Sequence, residues 1–293
     1  MNLQNNSVLV TGASGFIGTH LVKALRAAGH VVFTHSTREG HIANCSLNFE
    51  SVGHVFHLAA RTFVPDSWSA PLGFYEVNLL GTVNVLEFCR TSGASLTLMS
   101  SYVYGRPARL PIPEDEPLQA FNPYSHTKIL AEETCRYYQR QFGVPVTIIR
   151  PFNIYGPGQD CRFLIPTILT QAIDPNTAAI VVADLRPRRD YIFIGDLIDL
   201  LMSTAFRREG GTFNAGSGSS RGVDEVIAVV NQILPVPKAV RSEGRLRPDE
   251  VFDAAADISR ARREFAWEPR VTFRDGIRGT LAWVQGAKME ARA

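Results

Sequence analysis

The sequence predicts an α/β fold, with a doubly wound parallel sheet and a smaller lobe toward the C-terminal end. Three observations predict it. Short apolar runs alternate with stretches of helical periodicity in the first half of the chain. A glycine-rich turn joins the first apolar run to the first helical stretch. After residue 152 the rhythm breaks into short, proline-punctuated segments.

Residues 7–10 form a short apolar strand pattern, and residues 16–28 carry helical spacing that stops at Gly29, a residue suited to a C-cap. Residues 31–33 and 55–58 read as the next strands. Residues 72–90 read as a long helix, 95–99 as a strand, 122–142 as a helix and 144–149 as a closing strand. Strands alternating with helices argue for βαβ units, and hence for a parallel sheet with both faces covered. Beyond this, Pro151, Pro157, Gly158, Pro166, Pro175 and Pro187 punctuate the chain, and residues 216–220 form a loop rich in Gly and Ser. Residues 153–190 and 217–293 are expected to form the smaller lobe over the carboxyl ends of the sheet. A helix at 196–206 and a strand at 212–214 are expected to return to the large domain, which then comprises 1–152 and 191–215.

A chain of 293 residues with 45% hydrophobic and 20% charged residues can bury a substantial core. Its net charge of +2 gives no global field for nucleic acid or anionic lipid, so an anionic ligand must be gripped by local arginines. The first six residues have no basic character, and no apolar run reaches the about 18 residues of a membrane span. Cys45, Cys89, Cys135 and Cys161 are far apart with no C-x-x-C spacing, so they read as reduced, packed thiols rather than metal ligands. The expectation is a cytoplasmic protein with no metal, no nucleic-acid partner and no membrane association.

Glycines at 12, 15 and 18 lie between the first strand and the first helix. Gly12 permits a tight turn, Gly15 lets the backbone approach a pyrophosphate, and Gly18 allows the helix to pack closely on the strand. Gly12, Ser14, Gly15, Phe16, Ile17 and Gly18 would thus cradle a dinucleotide, with the helix N-terminus offering amides and a positive dipole end. At the end of the second strand, residues 33–38 read Phe-Thr-His-Ser-Thr-Arg, with no acid before Glu39. An acid there would bind a ribose 2′-hydroxyl, whereas hydroxyls and cations accommodate a 2′-phosphate. NADP is therefore favoured, with Ser36 and Arg38 as its contacts, and NAD stays open.

Tyr124 and Lys128 are four residues apart, on one face of a helix. An ammonium beside a phenol, with an oxidised nicotinamide nearby, favours the phenolate and makes a proton carrier of it. Ser100 and Ser101 follow the apolar strand at 95–99, at the sheet edge where open α/β proteins bind ligands. A serine there can donate a hydrogen bond to a substrate oxygen as charge develops. Tyr102 and Tyr104 read as packing residues.

These motifs together resemble the extended short-chain dehydrogenase/reductase family, in its NAD(P)-dependent nucleotide-sugar epimerase/dehydratase/reductase branch. The likeness covers nearly the whole chain and implies a Rossmann sheet. The glycine turn is similar to that family's T-G-x-x-G-x-x-G, and Ser100, Tyr124 and Lys128 resemble its catalytic trio. Ser100 lies four residues before Tyr104, as in the family's pattern, with Ser101 as the reserve. By resemblance, Leu58, Ala59 and Ala60 form the loop after that family's fourth strand, near the cofactor, and Asn78 is structural. Residues 150–159, beginning Arg-Pro-Phe-Asn, imply Pro151 beside the cofactor and Asn153 at the substrate diphosphate. Residues 188–196 and 247–250 are similar to two further family segments, which implies that Arg189 and Arg247 grip the phosphates. Glu250 would meet a ribose hydroxyl, although Asp249-Glu250 departs from the family's Gly-Asp. Ser101 is grouped with these substrate contacts. A homodimer through 72–90 and 122–142 is implied as well.

The family's 4,6-dehydratases carry Asp-Glu after the catalytic hydroxyl, where this chain has Ser101 and Tyr102. Dehydration is therefore disfavoured. The expectation is an NADPH-dependent reduction of a keto group, at C4 of a nucleotide-linked deoxysugar. A C4 epimerase that retains its NAD is the nearest rival, and a non-catalytic dinucleotide-sensing module a remote one. Arg61, Thr62, Phe63, Ser67, Phe163 and Leu164 are candidates for the sugar pocket.

Overall fold

The computed structural model describes residues 6–246 and 250–290, with side chains described up to residue 287. The first half runs β1 (Ser7–Thr11), α1 (Phe16–Ala27), β2 (Val31–His35) and β3 (His54–His57). A short α2 (Val64–Ser69) leads to α3 (Pro71–Phe74), a π-helical turn at Tyr75–Leu80 and α4 (Gly81–Ser92). Then come β4 (Ser95–Met99), α5 (Pro123–Phe142) and β5 (Val146–Pro151).

The second half contributes β6 (Asn153–Tyr155), α6 (Leu164–Ala172), β7 (Ala179–Val182), β8 (Arg188–Phe193), α7 (Ile194–Thr204) and β9 (Gly211–Ala215). It ends with β10 (Ser220–Gly222), α8 (Val223–Ile233), β11 (Ala239–Ser242), β12 (Asp253–Ala254), α9 (Ser259–Phe265) and α10 (Phe273–Glu290).

Six parallel strands form the central sheet in the order β2-β1-β3-β4-β5-β9, so the expected doubly wound α/β class is what the chain forms. Side chains alternate across it. Val8 and Val10 enter the core under α1 and α7, while Leu9 enters the opposite core, which α4 and α5 cover. After β2 the chain crosses to the other side of β1, which opens a crevice at the carboxyl ends of β1 and β3. The smaller lobe has its own core around Tyr155, Ile168, Leu169, Val226 and Ile277. There β8 is flanked by β10, β12 and β6, and β7 pairs with β11.

Several boundaries differ from expectation for physical reasons. The helical stretch expected at 72–90 extends from Pro71 to Ser92 and contains the π turn. Asn122 is the N-cap of α5 rather than its first residue: its side chain accepts from the Ser125 amide at 2.8 Å, and the Ser125 hydroxyl accepts from the Asn122 amide at 3.2 Å. The closing strand is displaced to Val146–Pro151, and the helix expected at 196–206 starts at Ile194. Residues 39–53 contain neither helix nor strand, so the loop at 58–60 follows this chain's third strand. All four cysteines carry free thiols. Among the described residues, no helix is long and apolar enough to cross a membrane.

Candidate active site

Thr11 ends β1, and Gly12 then turns the chain at φ +69°. A Cβ on Gly12 would lie 2.7 Å from the Ala59 nitrogen, and one on Gly18 would lie 2.2 Å from the Gly12 carbonyl oxygen. Neither position has room for a side chain. Gly15 is the extended N-cap of α1 with no side-chain cap, and no acid occupies the first turn. The first amides of α1 and its positive dipole end are left for an anion, with Ser14 and Gly15 exposed beside them. The Leu58 amide donates to the Thr11 carbonyl at 3.2 Å, which brings Leu58, Ala59 and Ala60 alongside the turn. His57 is locked between the hydroxyls of Thr11 at 2.7 Å and Thr82 at 3.1 Å; burial lowers its pKa to about 3, so the ring is neutral. A glycine cradle and an uncapped helix end fit a dinucleotide diphosphate.

At the end of β2, Ser36 does not stand free. Glu39 folds back so that its carboxylate accepts from the Ser36 amide at 2.7 Å and hydroxyl at 2.6 Å. Arg38 is exposed next to this turn. The carboxylate is supplied three residues past Ser36, where the strand pattern gave no reason to look for it.

On the other side of the crevice, the Asn122 cap starts α5 so that Tyr124 lies in its first turn, with Lys128 one turn on. Lys128 is buried and donates to the Met99 carbonyl at 2.8 Å. Burial lowers its pKa to about 8, while Glu132 pulls the other way. Burial pushes the Tyr124 phenol up to about 12, opposed by a hydrogen bond from Ser101.

The hydroxyl that meets Tyr124 belongs to Ser101, the reserve residue, whereas Ser100, the expected one, turns away from the phenol. Ser100 is still paired in the sheet, its amide donating to the Ile149 carbonyl at 2.8 Å. Its hydroxyl points inward and donates to Glu132 at 2.6 Å. Tyr102 packs as expected and adds a polar contact. Its ring stacks on Phe152 at 4.9 Å, and its hydroxyl donates to the Asn153 side-chain oxygen at 3.2 Å. Tyr104 is buried and hydrogen-bonded to Asn214.

Asn153 and Tyr191 are register partners on β6 and β8, and Asn153 donates to the Asp190 carbonyl at 3.3 Å. Arg189 is paired with Glu250 and also donates to the carbonyls of Val251 at 2.6 Å and Arg188 at 2.8 Å. Arg189 and Glu250, expected to serve phosphate and ribose separately, are thus joined to each other. Arg247 lies outside the described residues. Pro151 is buried at the end of β5, opposite Ala215.

Of the sugar-pocket candidates, Phe63 meets Phe163 edge-on at 5.8 Å, and the Arg61 guanidinium covers Phe74 at 4.9 Å. Thr62 is exposed and Leu164 opens α6. Ser67 is buried, its hydroxyl spent on the Val64 carbonyl at 2.7 Å. Sequence reasoning missed Glu132, although the spacing Tyr124-Lys128-Glu132 is a signal that one helical face carries all three.

A parallel sheet with a glycine cradle at its switch point, and a Tyr–Lys helix facing it, is the architecture of an NAD(P)-dependent enzyme acting on nucleotide sugars. The chain belongs to the NAD dependent epimerase/dehydratase family, whose model matches residues 8–216. It is 30% identical to a UDP-glucose 4-epimerase of Mycolicibacterium smegmatis, over 93% of this chain and 96% of that protein. It is also 30% identical to a GDP-6-deoxy-D-mannose reductase of Pseudomonas aeruginosa, over 94% of this chain and 96% of that one. Among solved structures, RMD from Pseudomonas aeruginosa complexed with NADPH is similar, with a TM-score of 0.86 and 26% identity over 96% of this chain and 99% of that chain.

Proposed function

We propose that the protein reduces the keto group at C4 of a nucleotide-linked deoxysugar, with NADPH as its cofactor. The observation that carries this reading is the convergence of Ser101, Tyr124 and Lys128 at the carboxyl edge of the sheet, with no carboxylate at 101 or 102 for removing water. A bound nicotinamide supplies the hydride. Tyr124, a phenol that holds its proton until charge develops on the sugar oxygen, donates that proton. Ser101 donates a hydrogen bond to the same oxygen and polarises the carbonyl. Lys128, fixed by the Met99 carbonyl, stabilises the phenolate left behind and is the group assigned to the cofactor ribose.

Residues 1–152 and 191–215 are assigned to the dinucleotide, and 153–293 mainly to the substrate. Asn153, Arg189 and Arg247 are assigned to its diphosphate, and Glu250 to its nucleoside ribose. Ser36 and Arg38 are assigned to the 2′-phosphate. In support, the Ser36 amide and hydroxyl already hold an anionic oxygen, that of Glu39.

A second reading, a C4 epimerase that retains NAD, is favoured by the same Glu39. A carboxylate kept at that place would accept from ribose hydroxyls and repel a 2′-phosphate. The test is to assay the purified protein with a panel of nucleotide-linked 4-keto-6-deoxyhexoses and NADPH, and with UDP-glucose alone. Stoichiometric NADPH oxidation by a keto sugar is expected. Interconversion of UDP-glucose with no net cofactor consumption, together with tighter NADH than NADPH binding, would replace this reading by the second. Tyr124→Phe should lower kcat by about 10²–10⁴-fold with little change in KM.

A further inference from the structure

Glu132 lies one turn beyond Lys128 on α5, and its exposure is 0%. An ionised carboxylate so placed is costly unless every lone pair is answered. Here each is. Oε1 accepts from the Ser100 hydroxyl at 2.6 Å and from Arg150 Nε at 2.9 Å. Oε2 accepts from Arg150 Nη2 at 2.7 Å and Arg136 Nη2 at 2.6 Å. Arg150 is itself buried, and it also donates to the Tyr104 hydroxyl at 3.0 Å and the Glu114 carbonyl at 2.9 Å. Arg136 is the member that reaches water, its side chain 35% exposed.

The groups around Lys128 divide cleanly by charge. On α5 itself stand Tyr124, Glu132 and Cys135; β3 contributes His57, and β4 the Met99 carbonyl. Burial keeps the His57 ring neutral and raises the Cys135 thiol well above its ordinary range, and Tyr124 holds its proton. The formal charge acting on Lys128 is thus the anion of Glu132, whose own oxygens are held by the guanidiniums of Arg150 and Arg136. Glu132 also fixes the backbone that carries the hydroxyls. With Ser100 tied inward to Glu132, the next residue emerges from the sheet on the side of Tyr124.

We propose that Glu132 is a positioning residue for the proton-transfer centre, holding Ser100 so that Ser101 meets Tyr124 and keeping the Lys128 ammonium charged, with Arg136 as its adjustable counter-charge. This rests on the roles assigned above to Tyr124 and Lys128. Burial alone disfavours the ammonium, and Glu132 is the largest influence restoring it. Neutralising Glu132 should therefore make Lys128 give up its proton earlier, and removing Arg136 should make it hold on longer.

The experiment is the pH dependence of kcat for the wild type, Arg136→Ala, Glu132→Gln and Glu132→Asp. The alkaline limb, where Lys128 loses its proton, should rise by about half a pH unit in Arg136→Ala and fall by about one in Glu132→Gln. Glu132→Asp should recover part of that fall. Opposite shifts from two substitutions in one ion pair are not what general loosening of the fold produces. A limb that stays in place in both variants, or moves the same way in both, overturns the proposal. If Glu132→Gln does not fold, Arg136→Ala decides alone: an upward shift supports the proposal and an unmoved limb refutes it. Full activity in Tyr124→Phe would instead locate the failure in the underlying reading, whatever the limbs do.

Discussion

The hydroxyl of Ser101 reaches Tyr124 because Ser100, one residue earlier, is still hydrogen-bonded to Ile149 in the sheet. Side chains alternate across a strand, so where the chain leaves the sheet decides which of two adjacent serines faces the crevice. The sequence makes legible that a hydroxyl sits at the end of β4, but not which one, because Met-Ser-Ser-Tyr carries no mark of the last paired residue. Ser101→Ala should lower kcat by about 10²-fold or more, as loss of one donor to a developing oxyanion does, with stability little changed. Ser100→Ala should do the reverse: it takes one donor from the buried Glu132 and costs about 1–2 kcal/mol of stability with a smaller effect on kcat. Steady-state kinetics and urea titration of both variants check this. A larger kcat loss in Ser100→Ala would return the catalytic role to that residue.

At the scale of elements, α5 presents the chemistry and its start is set by a cap. Asn122 and Ser125 satisfy each other's amides and Pro123 follows at the first helical position, so the helix cannot slide by a residue and Tyr124 keeps its place. Asn122→Ala should cost about 1 kcal/mol, measured as a lower urea midpoint, and Asn122→Asp should recover most of it. An unchanged midpoint in Asn122→Ala would mean that packing alone fixes the helix start. Apolar periodicity revealed this helix and the long one before it, since both bury a continuous stripe. It could not reveal the π turn at Tyr75–Leu80, where one extra residue per turn rotates the stripe without erasing it. Asn78 lies in that turn, accepting from the Arg61 amide at 2.8 Å and donating to the Thr127 hydroxyl at 3.0 Å. It thereby ties the loop after β3 to α5.

Across the whole molecule, the chain crosses between the central sheet and the smaller lobe and locks them together. β9 returns from the smaller lobe to pair with β5. From its end, Asn214 donates to the carbonyls of Ile112 at 2.9 Å and Asp257 at 3.2 Å. Asp190 accepts from the amides of Ser217, Gly218 and Ala256, at 2.6, 3.0 and 3.0 Å. A strand at 212–214 is legible in Thr212 and Phe213, and it pairs with β5. The pairing of β6, β10 and β12 around β8 is not legible, because strands of two or three residues carry no period.

The centre of this shared sheet also sets its acid stability. In β3, His54 bonds the hydroxyls of Ser95 and Thr97 at 2.7 and 3.0 Å, His57 bonds those of Thr11 and Thr82, and burial lowers both pKa values to about 3. Both rings are neutral when folded, whereas in the unfolded chain each binds a proton below about pH 6.5. The unfolded state then holds more protons, so stability rises with pH and is lost as pH falls from about 6.5 toward 3, by up to about 1.4 kcal/mol per pH unit for each ring. Urea midpoints at pH 7.5, 6 and 5 should fall in that order, in a window above the ordinary carboxylate range, and His54→Asn should flatten the slope. A midpoint that holds steady or climbs between pH 7.5 and 5 would mean that these imidazoles are charged, or solvated, inside the folded sheet.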